Sequence, residues 1–192
     1  MRSLNNASIT VKSLMSTLVG AVVLIAMALL TMTSLLEFQR ANDLQNATTL
    51  AMSQTRDSWI DLSRGQAALY RAINLKSQNV EIGTIRAAKN EFTQASTHAK
   101  HGLDSLKLTT VAIDPALATK AAQTVEQYLS ASNQAASFVE EDAFNATMFM
   151  TDSEQKYDAA QQAVAALLKG AIAADDAIDQ QMDAMVHARL MT

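Results

Sequence analysis

The sequence predicts an all-α protein in which an N-terminal transmembrane helix continues into an up-and-down, antiparallel four-helix bundle. Three observations support this fold class. Residues 13–36 form one uncharged apolar run, apolar side chains recur at spacings of three and four in the rest of the chain, and the 192 residues include 5 glycines and 1 proline. Because few residues favour turns, we expect few and long helices.

The apolar run, residues 13–36, contains no charged residue and no proline. At about 1.5 Å per residue, a helix of this length reaches about 36 Å, which is enough to cross a hydrocarbon core of about 30 Å. A secretory signal peptide is the main alternative, but its apolar region usually has about 7–15 residues and ends in a small-residue cleavage site. The run passes instead into a polar helical pattern, which favours an uncleaved anchor.

The charges on the two sides of the run predict its orientation. Arg2 and Lys12 precede it, whereas Glu37 and Asp43 follow it. Because positive charge is retained on the cytoplasmic side, residues 1–12 are expected in the cytoplasm and the rest of the chain, from 37 to 192, in the periplasm. We therefore expect a protein of the inner (cytoplasmic) membrane with a single span in this chain.

Composition excludes several classes of function. Removing Arg2 and Lys12 from the 15 basic residues leaves 13 against 19 acidic ones, so the domain after the span carries about −6. This charge argues against nucleic acid as a partner. The chain has no cysteine, so disulfides and thiolate metal sites are absent and packing must supply the stability. No phosphate-binding loop, zinc signature or nucleophile elbow is present, and we expect neither an enzyme nor a cofactor.

The four bundle helices are expected at about 37–75, 80–107, 115–140 and 146–192. Each has an apolar stripe that must pack on its neighbours. The first stripe contains Met52, Trp59, Leu62, Leu69 and Ile73, and the most regular one, on the second helix, contains Ile85, Ala88, Phe92, Ala95, Ala99, Leu103 and Leu106. The third contains Ala121, Val125, Tyr128, Ser132, Ala135 and Val139. The fourth contains Tyr157, Ala160, Val164, Leu167, Ala171, Ala174, Ile178, Met182 and Met185.

Local signals mark the helix ends. Residues 74–79, NLKSQN, are typical of a helix end and turn. Asp114 followed by Pro115 predicts an N-cap and first position for the third helix. The acidic cluster at 140–142 is expected to cap and solvate the next turn, with a short break over 143–146. The fourth stripe is still amphipathic near Thr192, so we expect the native protein to continue into a second span and a cytoplasmic domain.

This organisation resembles the N-terminal half of a methyl-accepting chemotaxis receptor. The likeness covers the whole chain at the level of architecture. In residues it is strongest where Ser58-Trp59-Ile60-Asp61-Leu62 leads into Ala68-Leu69-Tyr70-Arg71-Ala72, which resembles the SW and L-x-R-A steps of the amino-acid chemoreceptors. Glu154-Gln155-Lys156-Tyr157 is similar to the E-K-Q-Y run on their fourth helix.

The resemblance implies a homodimer that binds its ligand between the first helices of two subunits. Arginines of the first helix would hold ligand carboxylates, and groups at the start of the fourth helix would hold an amino group. Arg71 matches one of these arginines, whereas the other two positions fall on Gln66 and Leu75. On the fourth helix the match falls on Phe144-Asn145-Ala146-Thr147, in which Thr147 is the best candidate.

The residues themselves support part of this site. Arg64 and Arg71 stand seven apart and so share one helix face, turned away from the bundle stripe. Such a pair suits a planar grip on a carboxylate. The alternative is that Arg64 pairs with Asp61 one turn earlier on a solvated face. Tyr70 and Trp59 are candidates for a ligand surface or, more commonly for aromatics on a long helix, for the core or a subunit interface.

His98 and His101 have a spacing that could direct two imidazoles to one metal, but the sequence shows no obvious third ligand, and we expect a solvated face. The favoured function is a periplasmic ligand-sensing domain of a transmembrane chemoreceptor for a small organic acid or amino acid. It would reach cytoplasmic signalling partners only through a C-terminal part outside this chain. Alternatives are the sensor of a histidine kinase or nucleotide cyclase, and a membrane-anchored structural bundle without a ligand.

Overall fold

The computed structural model describes residues 9–106 and 113–190, which form four α-helices without a strand among them. The helices are α1 (Ile9–Ser77), α2 (Ile82–Leu106), α3 (Pro115–Phe138) and α4 (Ala143–Leu190). The predicted all-α class is confirmed. The first eight residues and the predicted helix ends at 107 and 192 lie outside the described ranges.

The chain divides into two compact units, and the first is Met1–Asp43. Between residues 15 and 36, its large apolar side chains are 45–68% exposed rather than packed into a core. They are Met15, Leu18, Val19, Val22, Val23, Leu24, Ile25, Met27, Leu29, Leu30, Met32, Leu35 and Leu36. α1 is therefore long and apolar enough to cross a membrane, a property that it shares with signal sequences.

Two hydroxyls in this apolar segment bond to the backbone of the same helix. Thr31 Oγ1 donates to the carbonyl of Met27 at 2.5 Å, and Thr33 Oγ1 donates to the carbonyl of Leu30 at 3.0 Å. A polar group in hydrocarbon is costly unless it has an internal partner. These threonines are therefore compatible with a lipid environment.

The second unit, Leu44–Thr192, holds the remainder of α1 and the other three helices. Every predicted stripe residue of α2 and α3 is buried, which confirms both stripes. Most of the α1 and α4 stripes are buried as well, and the half-buried members lie at the stripe edges or towards the helix ends: Met52, Trp59, Tyr157, Ala174, Met182 and Met185.

The ends of α1 and α3 follow local rules. The predicted cap of α3 is confirmed, because Asp114 Oδ1 accepts a hydrogen bond from the amide of Ala116 at 2.8 Å and proline occupies the first position. After α1, Asn79 has a φ of 53°, in the left-handed region that asparagine tolerates better than most residues. The amide of Val80 donates to the carbonyl of Leu75 at 3.0 Å, which closes this turn.

The start of α4 differs from the prediction. α4 begins at Ala143, and the break expected over 143–146 is wrong. The cause is Asp142, whose Oδ1 accepts a hydrogen bond from the amide of Phe144 at 2.8 Å and whose carbonyl accepts one from Ala146 at 3.0 Å. One member of the acidic cluster thus caps the helix, so no break is needed.

As the residue number increases along one helix, the residue number of its contact partners on the neighbouring helix decreases. This holds for α1 with α2, α2 with α3, α3 with α4 and α1 with α4. Between α1 and α2 the pairs include Gln54–Ser105 and Arg64–Glu91, and between α2 and the α3 end of the chain they include Lys100–Glu126 and Lys89–Glu140. Between α3 and α4 they include Ser132–Ser153 and Phe138–Phe149. Between α1 and α4 they include Gln45–Asp179 and Ser63–Tyr157.

The core consists of two apolar clusters. One is built around Leu62, Leu103, Val125, Val164 and Leu167. The other is built around Leu69, Ile85, Phe92, Val139 and Met150, towards the turns at 78–81 and 139–142.

Along α1, α3 and α4 a polar layer lies between the two clusters. It consists of Ser63, Gln66, Tyr128, Ser132, Ser153 and Tyr157. Tyr128 Oη donates to Gln66 Oε1 at 2.9 Å, the hydroxyls of Ser132 and Ser153 are 2.7 Å apart, and Tyr157 Oη donates to Ser63 Oγ at 3.1 Å. These three bonds connect α1, α3 and α4 pairwise. Buried polar groups are costly unless they are hydrogen-bonded, and these are bonded to one another.

Candidate functional site

Arg64 and Arg71 occupy the solvent-facing side of α1, as the spacing predicts. Their side chains are 63% and 56% exposed. Both guanidinium groups turn towards the same carboxylate, that of Glu91 on α2. Arg64 Nε lies 3.0 Å from Glu91 Oε1, and an Nη atom of Arg71 bonds Oε2. The two arginines therefore form a clamp on one carboxylate, and Arg64 pairs with Glu91 rather than with Asp61.

The clamp changes the ionisation of Glu91. Hydrogen bonds from Arg64 and Arg71 hold the pKa of this carboxyl below its ordinary value. Each guanidinium has five N–H donors, and Glu91 accepts from one donor of each. The remaining donors are accessible for a further acceptor, while the charge of Glu91 opposes the approach of a second anion.

Gln66, the second candidate on α1, lies in the interior. It is 7% exposed, and its side-chain oxygen accepts the hydrogen bond from Tyr128. Burial raises the pKa of Tyr128, so its hydroxyl remains protonated and available as the donor. Gln66 is thus part of the polar layer and is not beside the exposed guanidiniums.

The α4 candidates lie in the first turns of that helix. Phe144 is 71% exposed, and Thr147 is also exposed, with its hydroxyl donating to the carbonyl of Ala143 at 2.8 Å. Tyr70, the last candidate on α1, is 37% exposed. Within the described ranges, no hydrogen bond or ion pair joins these three side chains to the clamp. The structure brings Arg64 and Arg71 together and leaves the other candidates separate from them.

A second carboxylate holds a larger cationic cluster. Glu140, in the turn between α3 and α4, accepts hydrogen bonds from Arg86 at 2.8 Å and from Lys89 at 2.9 Å. Its carbonyl accepts one from Lys76 of α1 at 2.5 Å. The bonds from Arg86 and Lys89 lower the pKa of the Glu140 carboxyl. Glu140 therefore connects α1 and α2 to the turn that precedes the α4 candidates.

His98 and His101 are both exposed on α2. Among the residues that the structure describes, no group of three histidine, cysteine, aspartate or glutamate side chains is placed to hold a metal ion. His101 lines a groove between α2 and α3, together with Thr97, Lys100 and Asn133.

A scan against protein-family models found no match, and searches of curated proteins and of solved structures found none either. What the site is able to bind follows from its side chains.

Two carboxylates have ion-pair partners that the sequence does not predict, Glu91 and Glu140. Both lie on the flanks of helices or in turns, where a carboxylate normally has no specific role. A signal for Glu91 exists, because it directly precedes Phe92 of the buried α2 stripe and therefore lies at the edge of the face that meets α1. The partners of Glu91, however, cannot be predicted until the register of α2 against α1 is known.

Proposed function

We propose that this chain is the ligand-sensing part of a transmembrane chemoreceptor and that it binds a small carboxylate-bearing metabolite through Arg64 and Arg71. The observation that carries the proposal is the clamp, in which two exposed guanidiniums already hold one carboxylate. Paired arginines that bind carboxylate oxygens are among the stronger charge-assisted contacts in proteins. A metabolite with two carboxylates has the complementary charge, and an amino acid offers one carboxylate for the same donors.

The proposed architecture is an up-and-down antiparallel four-helix bundle that follows a transmembrane helix. The contacts between helices support it, because residue numbers run in opposite directions across each consecutive pair. The exposed apolar segment of α1 supports the membrane-spanning role. The basic flank, Arg2 and Lys12, supports an N-terminus in the cytoplasm and a bundle in the periplasm.

Glu91 acts as an internal competitor in this proposal. Because it lies on the protein surface, water competes for its ion pairs and its displacement from the arginines is not strongly opposed. A ligand carboxylate would take over donors that Glu91 leaves. In a homodimer, the arrangement that the family resemblance implies, the second subunit would enclose the ligand from the outer side of α1.

Isothermal titration calorimetry on the full chain in lipid nanodiscs tests the proposal. Succinate, citrate and L-aspartate are the probes, and succinamide is the uncharged control. We expect one or more of the acids to bind, R71A and R64A to weaken binding about tenfold or more, and E91Q to strengthen it. R86A, which breaks an exposed ion pair of Glu140 instead, is the matched control and should leave the affinity unchanged.

Equal affinity of wild type, R64A and R71A for an acid that binds would remove the clamp from the ligand site. Absence of binding by all three acids to both wild type and E91Q would contradict the proposed class of ligand. Circular dichroism of each variant establishes that the fold is intact.

A further inference from the structure

A groove of about 550 Å³ lies between α1 and α4, within the second unit, and neither arginine of the clamp lines it. Arg56, Trp59 and Ile60 form its α1 wall, and α4 contributes Ala165, Leu168, Lys169 and Ile172. Sites for small organic ligands usually have about 300–1,000 Å³ and are mostly apolar with a few polar groups that orient the ligand. The α1–α4 groove has this size and composition.

The floor of the α1–α4 groove is apolar and firmly positioned. Trp59 is half-buried and packs against the core cluster built around Leu62 and Val164. Ile60 and Ile172 are 53% and 46% exposed, so both offer apolar surface to solvent. An aromatic ring or short acyl chain placed here would remove this surface from water, which is favourable.

The two cations of the groove have no ion-pair partner among the described residues. Arg56 and Lys169 are both exposed, and neither forms a hydrogen bond or ion pair with another described side chain. Most cations of the second unit differ in this respect, because they are engaged by carboxylates or by a carbonyl: Arg64, Arg71, Lys76, Arg86, Lys89, Lys100 and Lys156. An apolar groove with one unpaired cation on each wall complements a ligand that is apolar at one end and anionic at the other.

A second copy of the chain is a poorer occupant of the same groove. In an interface with two-fold symmetry, a surface patch meets its own copy. Arg56 and Lys169 would then approach the same two cations of the partner, and like charges in an interface oppose association. A small amphiphilic anion instead neutralises both cations and covers the apolar floor.

We propose that the α1–α4 groove is a second ligand site, which binds an apolar monocarboxylate such as an aromatic or short-chain acid. The ring or chain lies against Trp59, Ile60 and Ile172, and Arg56 and Lys169 bind the carboxylate. Charge-assisted hydrogen bonds from Arg56 and Lys169 distinguish the acid from its neutral amide. The lining of this groove shares no residue with the clamp, so the proposal does not depend on the function proposed above.

Tryptophan fluorescence tests the site directly, because Trp59 is the single tryptophan of the chain. The full chain in lipid nanodiscs is titrated with phenylacetate and, as the uncharged control, with phenylacetamide. We expect a saturable change in emission with phenylacetate, and binding of phenylacetamide that is about tenfold weaker or more. The variant R56Q/K169Q should weaken phenylacetate binding by a similar factor, and I172S should weaken binding of both compounds.

K120Q is the matched control, because Lys120 is an exposed cation on α3 without a described side-chain partner. It should leave the titration unchanged. No saturable emission change with phenylacetate, or equal binding by wild type and R56Q/K169Q, overturns the proposal. Self-association that becomes stronger in R56Q/K169Q during sedimentation, with no response to phenylacetate, would assign the groove to a second copy instead.

Discussion

The hydroxyl of Tyr128 on α3 donates a hydrogen bond to the side-chain oxygen of Gln66 on α1, at 2.9 Å and in the protein interior. Gln66 is 7% exposed and Tyr128 is 1% exposed. A buried acceptor that loses its donor retains the cost of its desolvation, whereas removal of both partners is nearly neutral. The two residues should therefore be coupled in stability.

Tyr128→Phe is predicted to lower the free energy of unfolding by about 1–3 kcal/mol, because it leaves Gln66 Oε1 unpaired. In the Gln66→Leu background the same substitution should cost distinctly less. Urea denaturation of the four proteins of this double-mutant cycle measures the difference. Additive effects would show that the bond contributes nothing to stability.

Gly102 and Ser58 form a second coupled pair. A methyl group added at Gly102 would lie 2.4 Å from Ser58 Oγ, which is buried without a hydrogen-bond partner in the described structure. We predict that G102A destabilises the protein, whereas S58A/G102A is more stable than wild type, since alanine is favoured over glycine in a helix by about 0.5–1 kcal/mol.

Thermal denaturation followed by circular dichroism checks this prediction. G65A is the control, because its methyl group would make only ordinary contacts, at 3.6 Å from Ala95 and 3.7 Å from Phe92. It should stabilise α1 without any second substitution. A G102A variant as stable as wild type would contradict the predicted clash.

The cap of α4 should be measurable. Asp142→Ala removes the acceptor for the amides of Phe144 and Asn145, and caps of this kind contribute about 0.5–2 kcal/mol. Asp142→Asn retains a side-chain oxygen and should lose only part of this stability. Hydrogen exchange at the amide of Phe144 should accelerate in D142A, and unchanged exchange would show that the cap is not formed in solution.

Acid should weaken two ion-pair clusters. The pKa values of Glu91 and Glu140 lie below the ordinary value of 4.5, chiefly because Arg64 bonds the former and Arg86 bonds the latter. The unfolded chain binds these protons at higher pH than the folded one. The stability from these groups is therefore present above about pH 4.5 and is lost as the pH falls through the folded-state values.

Melting temperatures of wild type and E91Q/E140Q at pH 7 and below pH 4 test this dependence. We expect a smaller decrease on acidification in the double variant than in wild type. E141Q, which removes an exposed carboxylate without a described ion pair, should follow the wild type. Equal slopes for wild type and E91Q/E140Q would contradict the assigned pKa shifts.

Local patterns predict the helices well. The regular α2 stripe and the Asp114 cap follow from spacing and from hydrogen bonding within a few residues, and the structure has both. The start of α4 is harder to predict, because an acidic cluster is compatible with either a loop or a helix cap. Only the position of Asp142 relative to the amides at 144 and 146 decides between them.

The candidate site was less predictable, because its partners come from different helices. The sequence offers Asp61, one turn before Arg64, as an ion-pair partner, whereas in the structure Arg64 pairs with Glu91, 27 residues away. The inward position of Gln66, in contrast, can be predicted from the sequence. It lies four residues after Leu62 and three before Leu69, so the same 3.6-residue period that predicts the stripe includes it.

Two hydrogen bonds of the polar layer limit how far α4 is able to slide along its axis. Ser153 and Tyr157 connect α4 to both α3 and α1. A shift by a whole helical turn, about 5.4 Å, would separate both pairs and leave buried hydroxyls unpaired. A shift well below 1 Å would only lengthen the bonds. Any movement that passes along α4 is thus confined to small, reversible displacements around one register, and larger ones require the core to open.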